Sequence, residues 1–310
     1  MTRVAAIDCG TNSIRLLVAD VTAGRLTDVV REMRVVRLGQ DVDRTGRLAP
    51  EALERTFGAL RDYAVQVREL GAEKVRMCAT SATRDAANRD EFVSGCVEIL
   101  GVEPEVISGG EEAQTSFAGA TSTLPRDRFP APYLVVDIGG GSTEFVLGDT
   151  SVTQSISVDL GCVRLTERRL RSSPPTAAEV AAAESDIDAL MDRVADTVDV
   201  TSAATLVGLA GSVTTVAALA LGLPAYDPST IQHSRVAFAD VDRVTSDLLA
   251  RTPEQRLEYA VMHPGRADVI GAGALILRRL MQHVGSDSVV ASESDILDGI
   301  ALSCVGDGAV

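Results

Sequence analysis

Leu134-Val135-Val136-Asp137-Ile138-Gly139-Gly140-Gly141-Ser142-Thr143-Glu144-Phe145-Val146-Leu147 reads as an apolar run, an aspartate, a turn of small residues and a second apolar run. The same grammar occurs near the start of the chain, in Val4-Ala5-Ala6-Ile7-Asp8-Cys9-Gly10-Thr11-Asn12-Ser13-Ile14-Arg15-Leu16-Leu17-Val18. Superposing Asp8 on Asp137 also places Gly10 on Gly139, Ser13 on Ser142 and Asp20 on Asp149. Each segment predicts a β-hairpin whose turn residues suit tight or left-handed backbone geometry. A hairpin that recurs 129 positions later (137 − 8 = 129) predicts an internally duplicated α/β architecture, with two sheets facing a common cleft.

Helices fill the sequence between. Leu53, Phe57, Leu60, Val67 and Leu70 recur at helical spacing, opened by Pro50 and ended at Gly71. Lys74–Ala79 reads as a strand, Val102–Ile107 as another, and Asn88-x-x-Glu91 and Ser108-x-x-Glu111 as capping boxes. Proline-rich Thr121–Pro132 marks a domain boundary, predicting an N-terminal domain over 1–124 that takes back a C-terminal helix over 297–310, and a second domain over 125–296. Thr176-x-x-Glu179 opens a long Ala-rich helix. Thr205–Leu209 and Ser286–Ala291 read as strands, 266–283 as largely helical, and Asp295–Val305 as a final helix.

The composition narrows the function. A chain of 310 residues, 45% hydrophobic and 24% charged, suits two globular domains. Its apolar stretches are interrupted too often to span a membrane, and no signal peptide is read at the N-terminus. Five scattered cysteines without a C-x-x-C pair predict buried free thiols in a reducing, cytoplasmic setting. Three histidines without ligand spacing argue against a His-based metal site. A net charge of −15 repels nucleic acid and anionic membrane, so a phosphate site must gather positive potential locally.

Several segments carry chemistry. In the twin turns, Gly10–Ser13 and Gly139–Ser142, small residues let successive backbone N–H groups point into one cavity and hold phosphate oxygens. Asp8 and Asp137, at the strand ends, suit a hydrated Mg²⁺. Ordinary hairpin turns are the plainer account of one copy; two matching copies favour phosphate. The third turn, Val207–Thr215, leads from a strand into a helix, and its Gly211 and Ser212 offer an anion site or mere close packing. In Ser108-Gly109-Gly110-Glu111-Glu112-Ala113, Glu111 has a capping task and Glu112 has none. Glu112 is a candidate general base, although from local sequence the plainer reading is a solvated carboxylate favouring the helix dipole. Arg84, in the polar turn Ala79–Ala86, is placed to clamp a phosphate or to pair with Asp85 or Asp90, and Arg164 is offered in a similar way.

Taken together, these blocks resemble the exopolyphosphatase and guanosine pentaphosphate phosphohydrolase family. The resemblance runs in order through Ala6–Leu16, Ala79–Asn88, Ile107–Ala113, Val136–Phe145, Leu160–Thr166, Gly208–Thr215 and Ser294–Ile300. It implies an actin-like fold of two RNase-H-like domains, each a mixed sheet flanked by helices, with metal-dependent hydrolysis in the cleft. It makes Glu112 the general base, Asp137 and Glu144 metal-side and water-orienting carboxylates, and Asp8 a possible metal partner. Gly10, Thr11, Asn12 and Ser13 with Gly139, Gly140, Gly141 and Ser142 become the phosphate loops, and Arg84 an added clamp. The implied cofactor is Mg²⁺ or another divalent cation, and a homodimer is suggested. Larger relatives carry further helical domains, so the expectation here is a two-domain core with less surface for a long polymer. The expected activity is removal of terminal phosphate from polyphosphate. The alternatives are a guanosine pentaphosphate phosphohydrolase, an ATP-dependent kinase or ATPase of the same fold, and a non-catalytic alarmone or polyphosphate sensor.

Overall fold

The computed structural model describes residues 1–305, so the last five positions of the expected C-terminal helix lie outside the described residues. The chain divides into two compact units: Met1–Gly119 with Asp295–Val310, and Ala120–Ser294.

In unit 1 the apolar run opening the chain forms β1 (Thr2–Cys9), which turns into β2 (Ser13–Thr22) and then β3 (Arg25–Val35). Helix α1 (Pro50–Glu69) carries the chain to β4 (Lys74–Ala79), and α2 (Arg89–Leu100) to the short β5 (Glu105–Val106). The sheet order is β3-β2-β1-β4-β5; β1 pairs antiparallel with β2 and parallel with β4. A strand with a parallel neighbour is covered on both faces, and successive side chains of β1 divide accordingly. Ala5, Ile7 and Cys9 join Leu60, Tyr63 and Phe92 in one core cluster. Val4 and Ala6 join Leu17, Cys78, Ile296 and Ile300 in another. The second cluster is built on the final helix; the chain leaves unit 1 within helix α3 (Gly109–Ser122).

Unit 2 repeats the plan. Strands β6 (Tyr133–Ile138), β7 (Thr143–Gly148) and β8 (Val152–Val158) form an antiparallel meander. Helices α4 (Cys162–Arg169) and α5 (Ala177–Ala195) lead to β9 (Thr205–Leu209), which lies parallel to β6. Helix α6 (Ala210–Ala220), strand β10 (Arg235–Ala237), helices α7 (Phe238–Ala250) and α8 (Ile270–Val284) and strand β11 (Ser288–Ala291) complete it, before α9 (Ile296–Ser303) returns the chain to unit 1. The sheet order is β8-β7-β6-β9-β11-β10. Without the added edge strand β10, it is the unit 1 order read through the duplication. Both units are therefore mixed sheets flanked by helices, the internally duplicated α/β plan that the repeated hairpins predict.

Local signals fared unevenly. Thr176 and Glu179 form the expected capping box, and Ser108 and Glu111 exchange the reciprocal bonds of another at 2.8 and 3.2 Å. Asn88 does not cap α2: its amide grips the backbone of Leu48 on both sides, donating at 3.1 Å and accepting at 2.8 Å. A buried amide that satisfies two backbone groups outweighs one cap bond. The strand expected over Val102–Ile107 is cut to two residues, because only Cys78 and Ala79 offer it a parallel partner. The turn glycines Gly10 and Gly139–Gly141 are not left-handed; among the described residues the positive-φ glycines lie elsewhere.

Helices α3 and α9 cross within unit 1 at glycine. A Cβ on Gly119 would collide with the carbonyl of Asp295 and the amide of Gly299, and one on Gly299 with the carbonyl of Thr115. At an unobstructed helix site Gly→Ala gains about 1 kcal/mol. Here overpacking against backbone reverses the sign, and Gly119→Ala should lower unfolding free energy by ~1–3 kcal/mol in urea titrations.

Candidate active site

The two hairpin turns are built alike. The amide of Gly10 donates to the carbonyl of Ser13 at 2.9 Å, and the amide of Gly139 to the carbonyl of Ser142 at 3.1 Å. In unit 1 the carbonyls of Thr11 and Asn12 accept from Gly39, Val36 and Arg37. In unit 2 the carbonyls of Gly139 and Gly140 accept from Cys162, Val163 and Arg164 in the first turn of α4. The Arg164 side chain adds a 2.7 Å bond to the carbonyl of Gly141. In a planar trans peptide the next residue's N–H points opposite to the carbonyl. Tying these carbonyls back therefore turns the amides of Asn12 and Ser13, and of Gly140, Gly141 and Ser142, away from the supporting segments. The glycines serve close approach: a Cβ on Gly161 would strike the backbone of Gly140, and one on Gly39 the side chain of Thr11.

The aspartates are placed by strand parity. Asp8 shares the parity of Val4 and Ala6 and so faces the α9 side of its sheet. There its Oδ2 accepts from Arg15 Nε at 2.9 Å and Nη2 at 2.7 Å, and Arg15 bonds on to Asp295. Asp295 also caps α9, accepting from Leu297 at 2.9 Å while its own amide donates to Asp298. Asp8 Oδ1 is buried without a hydrogen-bond partner. Burial pushes the Asp8 carboxyl above its ordinary range, opposed by Arg15 and reinforced by Asp295. Asp137 stands directly opposite Glu144 in the β6–β7 register. Both are buried, on the face away from the core cluster that takes Leu134, Val136, Ile138 and Phe145. Ser157 of β8 donates to Glu144 Oε1 at 2.7 Å.

Glu112 is buried in the first turn of α3, its carboxylate Oε2 accepting from Arg84 Nη1 at 2.9 Å. The same guanidinium nitrogen donates to the carbonyl of Ile107 at 2.9 Å. Arg84, expected as a phosphate clamp or as a partner of Asp85 or Asp90, is thus joined in this structure to the candidate base. Glu111 does the capping, which leaves Glu112 to this second task. In unit 2, α6 starts at Ala210 with φ of 66°, a strained conformation for alanine. A Cβ on Gly211 would run into the guanidinium of Arg266, and Ser212 packs against Gly273 and Cys162. The third turn therefore combines the close packing expected of it with a cation at its helix start.

Sequence reasoning passed over Arg15, Asp295, Ser157 and Arg266 as functional residues. Arg15 left a trace, since superposing the hairpins sets it on Glu144 (15 + 129 = 144). Asp295 left another, as the first residue of the expected final helix. Ser157 and Arg266 come from segments distant in sequence and carry no local signal.

The family model described as the Ppx/GppA phosphatase family matches residues 17–307. Exopolyphosphatase 2 of Mycobacterium tuberculosis is 53% identical over 319 residues, covering 99% of each chain. The chain belongs to the Ppx/GppA phosphatase family. Among solved structures, an exopolyphosphatase-like protein superposes with a TM-score of 0.94 at 48% identity, covering 97% of both chains. The Ppx/GppA family member of Aquifex aeolicus superposes with a TM-score of 0.82 at 30% identity, covering 98% of this chain and 97% of that one. Membership in the Ppx/GppA family accords with the blocks named from sequence, which span both units.

Arg15, with 20% of its side chain exposed, is the cation between two buried carboxylates. Removing one member of such a cluster costs about 3–5 kcal/mol. Arg15→Met should lose that much stability at neutral pH. Because the folded pKa of Asp8 lies above its ordinary value, the cost of its buried charge is present above that folded pKa. It disappears below the ordinary aspartate range. Urea midpoints of the variant and the wild-type protein should therefore converge as pH falls through that window.

Proposed function

We propose that this protein is an exopolyphosphatase, a phosphoric anhydride hydrolase that releases terminal phosphate from inorganic polyphosphate through a water molecule activated by Glu112. The observation that carries this reading is the twin turn, whose carbonyls are bound behind it in both units so that its amides are presented to an anion. The high identity to Exopolyphosphatase 2 over the full chain supports the substrate class.

In this reading Glu112 accepts a proton from water as the water oxygen attacks the terminal phosphorus. The bridging P–O bond breaks, leaving orthophosphate and a chain shorter by one unit. Arg84 Nη1 donates to Glu112 Oε2 and so helps to orient the side chain that accepts that proton. Amides of the phosphate turns hold the non-bridging oxygens, where charge spreads in the transition state.

A divalent cation fits the residues present. Asp137 and Glu144 are two buried carboxylates in register on neighbouring strands of unit 2. Among the described residues no group of three or more His, Cys, Asp or Glu gathers into a metal cluster. One or two carboxylates with the remaining positions left to water and phosphate is the habit of Mg²⁺. When bound, the cation would neutralise phosphate charge. The five cysteines are free and four are buried, which supports a reducing, cytoplasmic setting. No described helix is long and apolar enough to cross a membrane.

The decisive assay is phosphate release with Mg²⁺ across polyphosphate lengths, guanosine pentaphosphate and ATP, side by side. Polyphosphate should be the preferred substrate; faster release from the guanine nucleotide would move the assignment to the nucleotide phosphohydrolase. Glu112→Gln should lower kcat ~10²–10⁴-fold with polyphosphate binding retained, as expected for a general base. Wild-type turnover in that variant would remove Glu112 from the role. Asp137→Asn should move the Mg²⁺ activation curve to markedly higher concentration, and an unchanged curve would exclude metal contact at Asp137.

A further inference from the structure

The duplication aligns three strands, not only two. In unit 1 the register sets Asp8 opposite Arg15 and Arg15 opposite Met33. In unit 2 it sets Asp137 opposite Glu144 and Glu144 opposite Ser157. Directly opposed residues share a face, so each triplet is a row of side chains across a sheet. The rows differ in chemistry at two linked places. Where the middle residue is a guanidinium, it neutralises its aspartate by two bonds to one oxygen, and the third residue is an apolar methionine. Where the middle residue is a carboxylate, it repeats the charge of its aspartate, and the third residue is a hydroxyl that donates to it at 2.7 Å.

We infer that Ser157 is a positioning residue: its hydroxyl fixes the Glu144 carboxylate in the orientation that, together with Asp137, receives a divalent cation. Cross-strand carboxylates repel, and the terminal torsion of a glutamate is broad. A glutamate beside an aspartate would swing outward to separate the charges. A donor on the far side of Glu144, from the next strand, pins one oxygen in the plane of the row. Backbone pairing fixes the position of that donor, since Ser157 belongs to the ladder of β8. Groups that hydrogen-bond to metal-binding carboxylates typically change metal affinity or activity 10–100-fold when removed. The inference rests on the reading of Asp137 and Glu144 as metal-side carboxylates.

The test uses the full chain and Mn²⁺ as probe, with binding followed by electron paramagnetic resonance of free Mn²⁺ in the absence of substrate. Ser157→Val and Ser157→Thr have nearly the same shape and differ by a methyl in place of the hydroxyl. The valine variant should bind Mn²⁺ about 10–100-fold more weakly, with kcat reduced and KM for polyphosphate little changed. The threonine variant should remain near wild type on both measures. Equal Mn²⁺ affinity in the two variants overturns the inference, since shape and not the hydroxyl would then matter. Glu144→Gln separates the two levels of the reading. If it binds Mn²⁺ like wild type, the metal-side role of Glu144 fails and the role of Ser157 falls with it. If Glu144→Gln weakens Mn²⁺ and Ser157→Val does not, only Ser157 is removed.

Discussion

Both units depend on one short backbone bond, the donation from the glycine amide to the serine carbonyl that closes each hairpin turn. It joins Gly10 to Ser13 and Gly139 to Ser142, and it sets the register in which every later contact is made. In unit 1 that register puts Arg15 against Asp8; in unit 2 it puts Glu144 against Asp137. A slip of one residue would turn each strand's apolar set toward the wrong face and its acid into the core. The chemistry of the site is thus specified by the same pairing that buries the sheet.

The duplication has diverged at the charged positions while keeping its backbone. Unit 1 neutralises its aspartate internally, through an arginine shared with the cap of α9, so the carboxylate is bound into the packing of a helix that arrives from the far end of the chain. Unit 2 places two acids side by side, and a serine donates to one of them, Glu144. Two uses have been made of one hairpin: in the first the aspartate is neutralised by an arginine of the next strand, and in the second it stands beside another acid.

Much of this was legible beforehand because it is local. Strands such as Lys74–Ala79 and Thr205–Leu209 are short apolar runs with clear punctuation, and their bounds match the reading made from sequence. Thr176–Glu179 and Ser108–Glu111 are local motifs that close on themselves. Asn88 carried the same local signal and did something else, because Leu48, 40 positions away, offered its amide two backbone partners. Arg84 and Glu112 were each singled out, yet their ion pair, across 28 positions, was not foreseen.

What the amino-acid order determined alone was the repeated hairpin and the mixed α/β plan, since periodicity and turn chemistry act within a few residues; Glu112 and Glu144 stood out as candidate site acids through the family resemblance. Tertiary structure decided how those acids are held. The contacts of Asp8 with Arg15 and Asp295, of Glu144 with Ser157 and of Gly211 with Arg266 join different strands, helices and turns. Such contacts follow from strand pairing and helix packing, which bring together side chains with no relation along the chain.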